Sequence, residues 1–378
     1  MKRIFLIFTA LLLVVACEKD PYQQGESGKV PGESVPDIVE KVPGRIVTAY
    51  VTYYGNSVPD GNVVTNINYS FAELYVRDGE YQSFKLQGDE SRFKQVLQVK
   101  KDHPEVKICL SFSHTVTNPD NYQAGGFSVM ASTEKGRKKF AQDCLNFCKN
   151  WGIDGIDIDW EMPGISWSGH ACDPMHDVQN FTLLMKQLRE TLGSKYLLSY
   201  AGYCMDVRGN ETDGWKYMDI KAVAPYCDII NIMTYDLASA PNHHSAITSK
   251  SAYWDWSRTY NEVSATGVPM SKFVFGVPFY ARHSFDESPT AIDYNKVIKM
   301  DKKIYKIDNW DEEAQCPYIT LVDGNKFFAG YDNPRSIAIK ADWVFARGMK
   351  GLMYWDYDAD DSKGTLRKAV WNSVMGQK

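Results

Sequence analysis

Short apolar runs rich in β-branched and aromatic residues alternate with amphipathic stretches along most of the chain. Runs of this kind predict β-strands, whereas apolar residues that recur every three or four positions predict helices. Eight runs meet the strand criteria: 45–54, 64–73, 106–114, 155–161, 196–202, 229–236, 273–281 and 351–357. Helical patterns lie between most of them, for example where Phe181, Leu184 and Leu188 share one face and Gly193 can end the helix.

Eight β/α units over roughly 330 residues predict a (β/α)8 TIM barrel with insertions. A doubly wound open sheet is the alternative, but no GxGxxG turn follows an early strand. The segment 283–334, between strand seven and the helix 336–347, is far longer than a usual βα loop. Alternating residues at 318–322 and 326–329 predict a hairpin around Asp323-Gly324. We therefore expect a small α+β insertion on the catalytic face of the barrel.

The first residues do not belong to the predicted barrel. Two basic residues precede the apolar run 4–15, which is too short for a comfortable membrane span and predicts a secretory signal. Its Val-Val-Ala-Cys ending resembles a bacterial lipobox, which implies cleavage before Cys17, lipidation of its thiol and a lipid anchor in the cell envelope; the alternative is a plain signal peptide. We expect a signal at 1–16, a tether at 17–43, where no apolar period occurs, and the catalytic barrel at 44–378.

Charge and composition exclude some functions. The net charge of −5 offers no basic face for nucleic acid. Aromatic residues make up 13% of the chain, which suits sugar binding but also core packing. Seven cysteines follow Cys17, an odd number without framework spacing, which predicts buried free thiols. No CxxC or HExxH occurs and adjacent histidines such as His243-His244 rarely bind one ion, so we expect no metal and no cofactor.

One predicted strand carries an unusual density of negative charge. Residues 154–161 read DGIDIDWE, although burying an unpaired carboxylate costs several kcal/mol. Such a cluster is a solvated loop, a metal cage or a catalytic site. Because strand side chains alternate, Asp157, Asp159 and Glu161 share one face, while Trp160 and the two isoleucines share the other. In a barrel the carboxylates would point into the lumen and the apolar residues would pack against the helices.

Glu161 comes last, at the end of the strand where barrel enzymes place their chemistry. Three stacked carboxylates cannot all ionise cheaply, so at least one pKa should rise. A glutamic acid with a raised pKa at the barrel mouth is suited to act as a general acid. A buried structural network is the alternative, and a metal cage is disfavoured because one rigid strand surrounds an ion poorly.

The motif at 154–161 is similar to the DxxDxDxE signature of family 18 glycoside hydrolases, the chitinase family. Four segments resemble other strands of that family: NINYSFA at 66–72, NIMTYD at 231–236, GVPFYAR at 276–282 and GLMYWDYDADD at 351–361. Residues 317–318 and 331–337 resemble the segment that closes the chitinase insertion domain. The likeness covers about residues 45–375 in the family's order and implies the same barrel.

The resemblance implies retaining, substrate-assisted hydrolysis without a protein nucleophile. Glu161 would protonate the glycosidic oxygen, and the acetamido oxygen of the substrate would attack the anomeric carbon. Asp159 would orient the acetamide nitrogen and stabilise the oxazolinium ion, and Asp157 would share charge with it. Asp154, at the start of the strand, would support it and is counted among the substrate-binding positions.

Further positions follow from the same resemblance. Tyr235 would hold the acetamide oxygen, Met233 and Asp236 would line the same pocket, and Trp355 would stack under the sugar. The remaining expected substrate-binding positions are Tyr50, Phe71, Ser111, Tyr280 and Arg282, with Ser111 bonding to the inner aspartate. Residues 111–114 read SFSH where the family usually has SxGG, and Ala281 replaces a glycine, so the length and identity of the substrate stay open.

The sequence predicts a monomeric, chitinase-like enzyme that cleaves β-1,4 bonds next to N-acetylglucosamine in an oligosaccharide or polysaccharide. One alternative is an endo-β-N-acetylglucosaminidase acting on N-glycans, with the same fold and mechanism. Another is a carbohydrate-binding lectin without catalysis. Lectin-like relatives commonly lose the last acid of the motif, whereas Glu161 is present.

Overall fold

The computed structural model describes residues 38–114, 126–165, 172–204 and 218–377. In chain order the strands are β1 (Ile46–Thr52), β2 (Asn66–Arg77), β3 (Glu80–Leu86), β4 (Lys107–Ser113), β5 (Gly155–Asp159), β6 (Leu197–Gly202), β7 (Ile229–Ile232), β8 (Phe273–Pro278), β9 (Tyr280–Arg282), β10 (Ala291–Asp293), β11 (Tyr305–Asp311), β12 (Cys316–Leu321), β13 (Phe327–Gly330) and β14 (Gly351–Trp355). The helices are α1 (Glu90–Leu97), α2 (Val99–Asp102), α3 (Gly126–Ser132), α4 (Glu134–Trp151), α5 (Asp177–Leu192), α6 (Ile220–Val223), α7 (Trp256–Ala265), α8 (Tyr294–Val297), α9 (Pro334–Phe345) and α10 (Thr365–Met375).

Eight parallel strands close into a barrel in the order β1, β2, β4, β5, β6, β7, β8 and β14. The barrel closes because β1 pairs with β2 on one side, at Thr48 and Asn66, and with β14 on the other, at Ile46 and Gly351. Seven of the eight predicted runs contain one of these strands, and the run 64–73 overlaps β2, which continues to Arg77, so the predicted (β/α)8 barrel is confirmed. Most of the strands are shorter than the apolar runs that predicted them, because those runs continue into the loops at the strand ends.

The two faces of β5 lie in different environments, as strand alternation requires. Ile156 and Ile158 are fully buried among the helices. Trp160 continues this face, where its ring stacks on Phe127 of α3 at 5.2 Å and meets Phe181 of α5 edge-on at 6.0 Å. The helix-facing role predicted for Trp160 is therefore correct, and this packing fixes the direction in which the acidic face points.

The antiparallel strand β3 was not predicted. It pairs with the outer half of β2, for example at Val76 and Tyr81, and extends the sheet beyond the barrel. The turn between the two strands is Asp78-Gly79, and both residues have positive φ angles of 51° and 73°. Asp-Gly is a strong hairpin signal because the favoured two-residue turn requires positive φ. The signal was present, but the polar residues of β3 hid the strand.

The insertion forms a separate antiparallel sheet in the order β10, β9, β13, β12 and β11. Strands β12 and β13 form the predicted hairpin, with Ile319 opposite Ala329. The predicted seventh strand is in fact two strands, since β8 ends at Pro278 and β9 joins the insertion sheet. The side chains of β9 therefore reach the barrel mouth from the insertion sheet.

Residues 38–43, expected to belong to the tether, instead lie against α10. The backbone of Val39 accepts a hydrogen bond from Nε1 of Trp371 at 2.7 Å and donates one to Oδ1 of Asn372 at 3.0 Å. Residues 38–43 therefore pack with the barrel domain, and the domain begins earlier than the predicted boundary between residues 43 and 44. The expected signal, Cys17 and the rest of the tether lie outside the described residues. Within the described ranges, no helix is both long enough and apolar enough to cross a membrane.

The cysteines of the described residues form no disulfide. Cys172 is partly exposed. The other six are buried: Cys109, Cys144, Cys148, Cys204, Cys227 and Cys316. Burial raises the pKa of the thiols of Cys144 and Cys227, so they remain protonated at neutral pH. The prediction of buried free thiols is correct for these six.

A fully buried ion pair joins the end of the insertion to the barrel. Nζ of Lys340, in α9, lies 2.7 Å from both carboxylate oxygens of Asp332. The lysine also donates to Oγ of Ser245 at 2.9 Å, and Ser336 donates to Asp332 at 2.6 Å. Because Ser245 bonds to the carbonyl of Thr234, this cluster reaches the loop that follows β7.

We expect Lys340→Met to destabilise the fold strongly, because it leaves the Asp332 carboxylate buried without a counter-charge. Removing one partner of a buried pair costs about 3–5 kcal/mol, measurable as the change in unfolding free energy in denaturant. The matched control is Lys186→Met, which breaks an exposed helical pair with Glu190 at 3.8 Å and should have a much smaller effect. Similar losses in both variants would contradict this assignment.

Candidate active site

The three carboxyl groups of the acidic strand lie together at the carboxyl end of the barrel. Asp157 and Asp159 belong to β5 and point into the lumen, with 0% and 6% of their surfaces exposed. Glu161 follows two positions after the strand ends and is partly buried. The strand's alternation therefore places all three on one face, as predicted.

Asp157 is surrounded by hydrogen-bond donors from four different strands. The donors are Oη of Tyr50 at 3.1 Å, Oγ of Ser111 at 2.7 Å, Oγ of Ser199 at 2.5 Å and Nδ2 of Asn231 at 3.4 Å. Burial raises the pKa of Asp157, and these donors oppose that rise by stabilising the charged form. The predicted bond from Ser111 is present, and the carboxylate of Asp157 is fixed in one position.

Asp159 and Glu161 are close enough to share a hydrogen bond. Burial, together with the charges of Glu161 and Asp157, raises the pKa of Asp159 well above its ordinary value. Burial and the charge of Asp236 raise the pKa of Glu161 to about 7, although the bond to Asp159 opposes this. The pair therefore retains a proton near neutral pH. No proton donor among the described residues reaches the buried Oδ1 of Asp159.

The pKa of Asp236 is lowered, in contrast to the raised pKa values of Asp159 and Glu161. Arg282 donates to both of its carboxylate oxygens, from Nε at 2.8 Å and from Nη2 at 2.7 Å. Nδ1 of His244 lies 3.2 Å from the same carboxylate. Burial alone would raise the pKa of Asp236, but these partners hold it well below its usual range. Asp236 is therefore ionised, and its negative charge favours the protonated form of Glu161.

Aromatic side chains form one wall of the site. The ring of Trp355 lies 5.7 Å from that of Phe71 in a stacked arrangement and 5.8 Å from that of Tyr50. Trp355 and Phe71 are only partly buried, so part of their surface faces the opening. A flat apolar surface beside polar groups is the usual composition of a small-molecule site.

Tyr235, Met233 and Tyr280 lie in one buried cluster beside the acidic residues. Oη of Tyr235 lies 3.9 Å from Sδ of Met353, and its ring meets that of Tyr280 at 6.3 Å. The structure thus brings these three predicted residues together. Within the described ranges the hydroxyl of Tyr235 has a single, weak sulfur acceptor, which leaves it able to bind a ligand oxygen.

Asp154 does not lie in the site, and its assignment to substrate binding is corrected. Its carboxylate contacts Nζ of Lys100 at 2.5 Å, Nζ of Lys107 at 3.3 Å and the backbone nitrogen of Ile108 at 2.9 Å. These contacts are at the amino end of β5, roughly 23 Å along the chain from Glu161 at the strand rise of ~3.3 Å per residue. Asp154 supports the start of the strand, which is the other role expected for it.

Four site residues were missed from the sequence. Asn231 precedes Met233 and Tyr235 by even steps, so strand alternation could have identified it. Ser199 lies on β6 opposite Asp157 in the sheet register. Tyr203, just beyond β6, and His244 carry no such pattern. Burial raises the pKa of Tyr203, and the charges of Asp236 and Glu161 raise it further. Tyr203 therefore lies near both acidic residues.

A (β/α)8 barrel that holds a glutamic acid with a raised pKa at its mouth, beside an aspartate pair and an aromatic wall, has the architecture of a glycoside hydrolase. The family model described as "Glycosyl hydrolases family 18" matches residues 46–360, and the chain belongs to that family.

Curated and solved relatives agree with this membership. Chitinase A1 of Niallia circulans is 27% identical over 323 residues, covering 72% of this chain and 43% of the relative. The endochitinase of Manduca sexta is 26% identical over 352 residues, covering 79% and 59%. The chain thus spans about half the length of these relatives. The solved family 18 N-acetylglucosaminidase of Paenibacillus barengoltzii is 28% identical with a TM-score of 0.70, covering 87% of this chain and all of that one.

The electrostatics of the site predict a specific pH profile. An acid with a pKa of about 7 must be protonated to act, so kcat/KM should fall about tenfold per pH unit above pH 7. Asp236→Asn removes a negative charge that raises this pKa, so the alkaline limb should move to lower pH. Asp308→Asn, on the exposed part of the insertion, is the matched control and should not move it. An unchanged limb in Asp236→Asn would contradict the electrostatic assignment.

Proposed function

We propose that this protein hydrolyses β-1,4 linkages next to N-acetylglucosamine, as a chitinase does, by a retaining mechanism in which the substrate's acetamide group is the nucleophile. The observation that carries the proposal is the neighbouring Asp159 and Glu161 on the acidic face of β5, which together retain a proton at the mouth of the barrel. Membership of family 18 and the chitinases among its relatives support the choice of reaction and substrate.

The first step uses Glu161 as the acid. Its proton passes to the glycosidic oxygen as the bond to the anomeric carbon breaks, and the acetamido oxygen bonds to that carbon to form an oxazolinium ion. The ionised Glu161 then accepts a proton from the water that opens this ion, so the acid is regenerated. General acid–base catalysis of this kind contributes roughly 10²–10⁴-fold to the rate.

Asp159 and Tyr235 hold the acetamide group. Oδ1 of Asp159, which has no donor among the described residues, accepts the acetamide N–H, and the hydroxyl of Tyr235 donates to the acetamide oxygen. As positive charge develops on the oxazolinium ion, an ionised Asp159 stabilises it. The four donors to Asp157 oppose the rise in its pKa and so favour its charged form beside Asp159 and Glu161.

The spacing of the carboxyl groups supports substrate assistance over double displacement. Retaining enzymes with a protein nucleophile hold two carboxyl groups ~5–5.5 Å apart, and inverting enzymes hold them ~6.5–9.5 Å apart. Asp159 and Glu161 lie side by side on the acidic face and interact directly, so they are not arranged as a pair that flanks a sugar ring. This arrangement supports a nucleophile that comes from the substrate.

A second candidate is the removal of N-acetylglucosamine from other glycans, including endo-β-N-acetylglucosaminidase action on N-glycans. The observation that favours it is the likeness to the solved N-acetylglucosaminidase of Paenibacillus barengoltzii, which this chain covers completely. A non-catalytic lectin is disfavoured, because Glu161 is present with a pKa suited to an acid.

Two chromogenic β-glycosides that differ only at carbon 2 test the mechanism. The 2-acetamido substrate should be hydrolysed, whereas the 2-hydroxyl substrate should be inert, because neither Asp159 nor Asp157 replaces the missing nucleophile.

A thiazoline analogue of the oxazolinium ion should inhibit competitively and bind more tightly than the parent sugar. Glu161→Gln is the control, and it should lose roughly 10²–10⁴-fold in turnover while it still binds the sugar. Equal hydrolysis of both substrates, or a covalent sugar ester on any carboxylate, would refute the mechanism.

For location, we propose a lipid anchor on Cys17 that holds the enzyme at the cell envelope. The lipobox-like ending of the apolar run 4–15 supports this. Cys17→Ser should move the protein from the detergent phase to the aqueous phase when bacterial extracts are partitioned. Cys172→Ser, which changes a partly exposed cysteine of the barrel domain, is the control and should not change the partitioning. An unchanged distribution for Cys17→Ser would favour a plain signal peptide.

A further inference from the structure

A second pocket lies between the insertion sheet and the loop that follows β7. Its volume is about 370 Å³, within the range of small-molecule sites. The loop side contributes Asn242, His243 and Thr248, and the sheet side contributes Asp311, Tyr318 and Phe327. None of these residues belongs to the active site described above.

The loop separates this pocket from the active site. His244 faces the active site, where it contacts Asp236 and lies 5.2 Å from the ring of Tyr280. The neighbouring His243 faces the insertion sheet, where its ring meets those of Tyr318 at 5.6 Å and Phe327 at 5.2 Å edge-on. The adjacent histidines therefore face different sites.

The pocket combines an aromatic surface with polar groups. Tyr318 and Phe327 stack with an interplanar angle of 6°, and both are partly exposed. Asn242 and Thr248 supply an amide and a hydroxyl, and Asp311 supplies a carboxylate. Aromatic rings can cover the apolar face of a pyranose, while such polar groups match its hydroxyls. The lining also includes Lys250 and Glu313, but these two pair with each other at 2.7 Å, so the described lining offers no unpaired cation to an anion and fits a neutral sugar better.

His243 is a buried polar residue of the pocket lining whose ring nitrogens have no aligned hydrogen-bond partner among the described residues. Only 7% of its surface is exposed, and Nδ1 has no hydrogen-bond partner among the described residues. Nε2 lies 3.3 Å from Oδ2 of Asp311 without hydrogen-bond alignment. Burial lowers the pKa of His243 to about 4, so the ring is neutral at pH 7 and each nitrogen can serve as a donor or an acceptor according to its tautomer. A buried polar group in this state usually has a missing partner.

We propose that this pocket is a second carbohydrate-binding site that takes one hexosamine unit of a glycan chain. It would hold a long substrate against the enzyme while another part of the same chain occupies the active site. Two linked sites raise the retention of a polymer more than that of a short oligosaccharide. The inference rests on the proposed function only for the choice of sugar.

Affinity electrophoresis through gels that contain soluble glycol chitin tests the proposal, with Glu161→Gln as the background so that the polymer is not cut. Phe327→Ala removes part of the aromatic surface, and Thr248→Trp fills the pocket from an exposed position where folding is not at risk. Each should weaken retention by about fivefold or more. Tyr253→Ala, which removes an exposed aromatic ring outside the pocket, is the control and should change retention little.

Cleavage of a short chromogenic N-acetylglucosaminide separates this proposal from the proposed function. In the active background, Thr248→Trp should keep kcat/KM within about twofold of the parent, since the pocket is not needed for a short substrate. Unchanged polymer retention in Thr248→Trp would overturn the second site even if the parent enzyme cleaves the short substrate. If Thr248→Trp loses polymer retention while the parent enzyme cleaves no short substrate, the second site is supported and the proposed function is refuted.

Discussion

Three carboxyl groups on one face of one strand, inside a closed barrel, are the constraint on which the site depends. Water cannot hydrate them fully there, and three neighbouring charges repel one another. Two solutions coexist: Asp157 is stabilised by donors from four other strands, while Asp159 and Glu161 retain a proton. Because those donors come from strands on both sides of β5, closure of the barrel is itself a condition for the charge state of the site.

Asp236 completes this arrangement from outside the acidic strand. It is ionised because Arg282 and His244 bind it, and its charge in turn favours the proton on Glu161. The pKa of Asp236 is lowered and that of Glu161 is raised. The difference is that Asp236 has a cationic partner in Arg282, whereas the neighbours of Glu161 are acidic. The partners of Asp236 come from the insertion sheet and from the loop after β7.

The sequence predicted the parts of this protein that depend on local pattern. Apolar runs located all eight barrel strands, and alternation placed the acidic face correctly. Contacts between distant segments were not predictable in the same way: residues 38–43 bind α10, and Tyr203 lies in a loop with no pattern of its own. Asp154 shows a further limit, because a motif specifies spacing along the chain, whereas membership of a site depends on which end of the strand a residue occupies.

Strand β9 has a consequence for how this architecture can change. Arg282 belongs to the insertion sheet, yet it binds the carboxylate whose charge adjusts the acid in the barrel. The insertion therefore contributes to the electrostatics of the active site through Arg282. A shorter or displaced insertion would move that guanidinium and change the proton affinity of Glu161, so remodelling this segment would also change the working pH of the site.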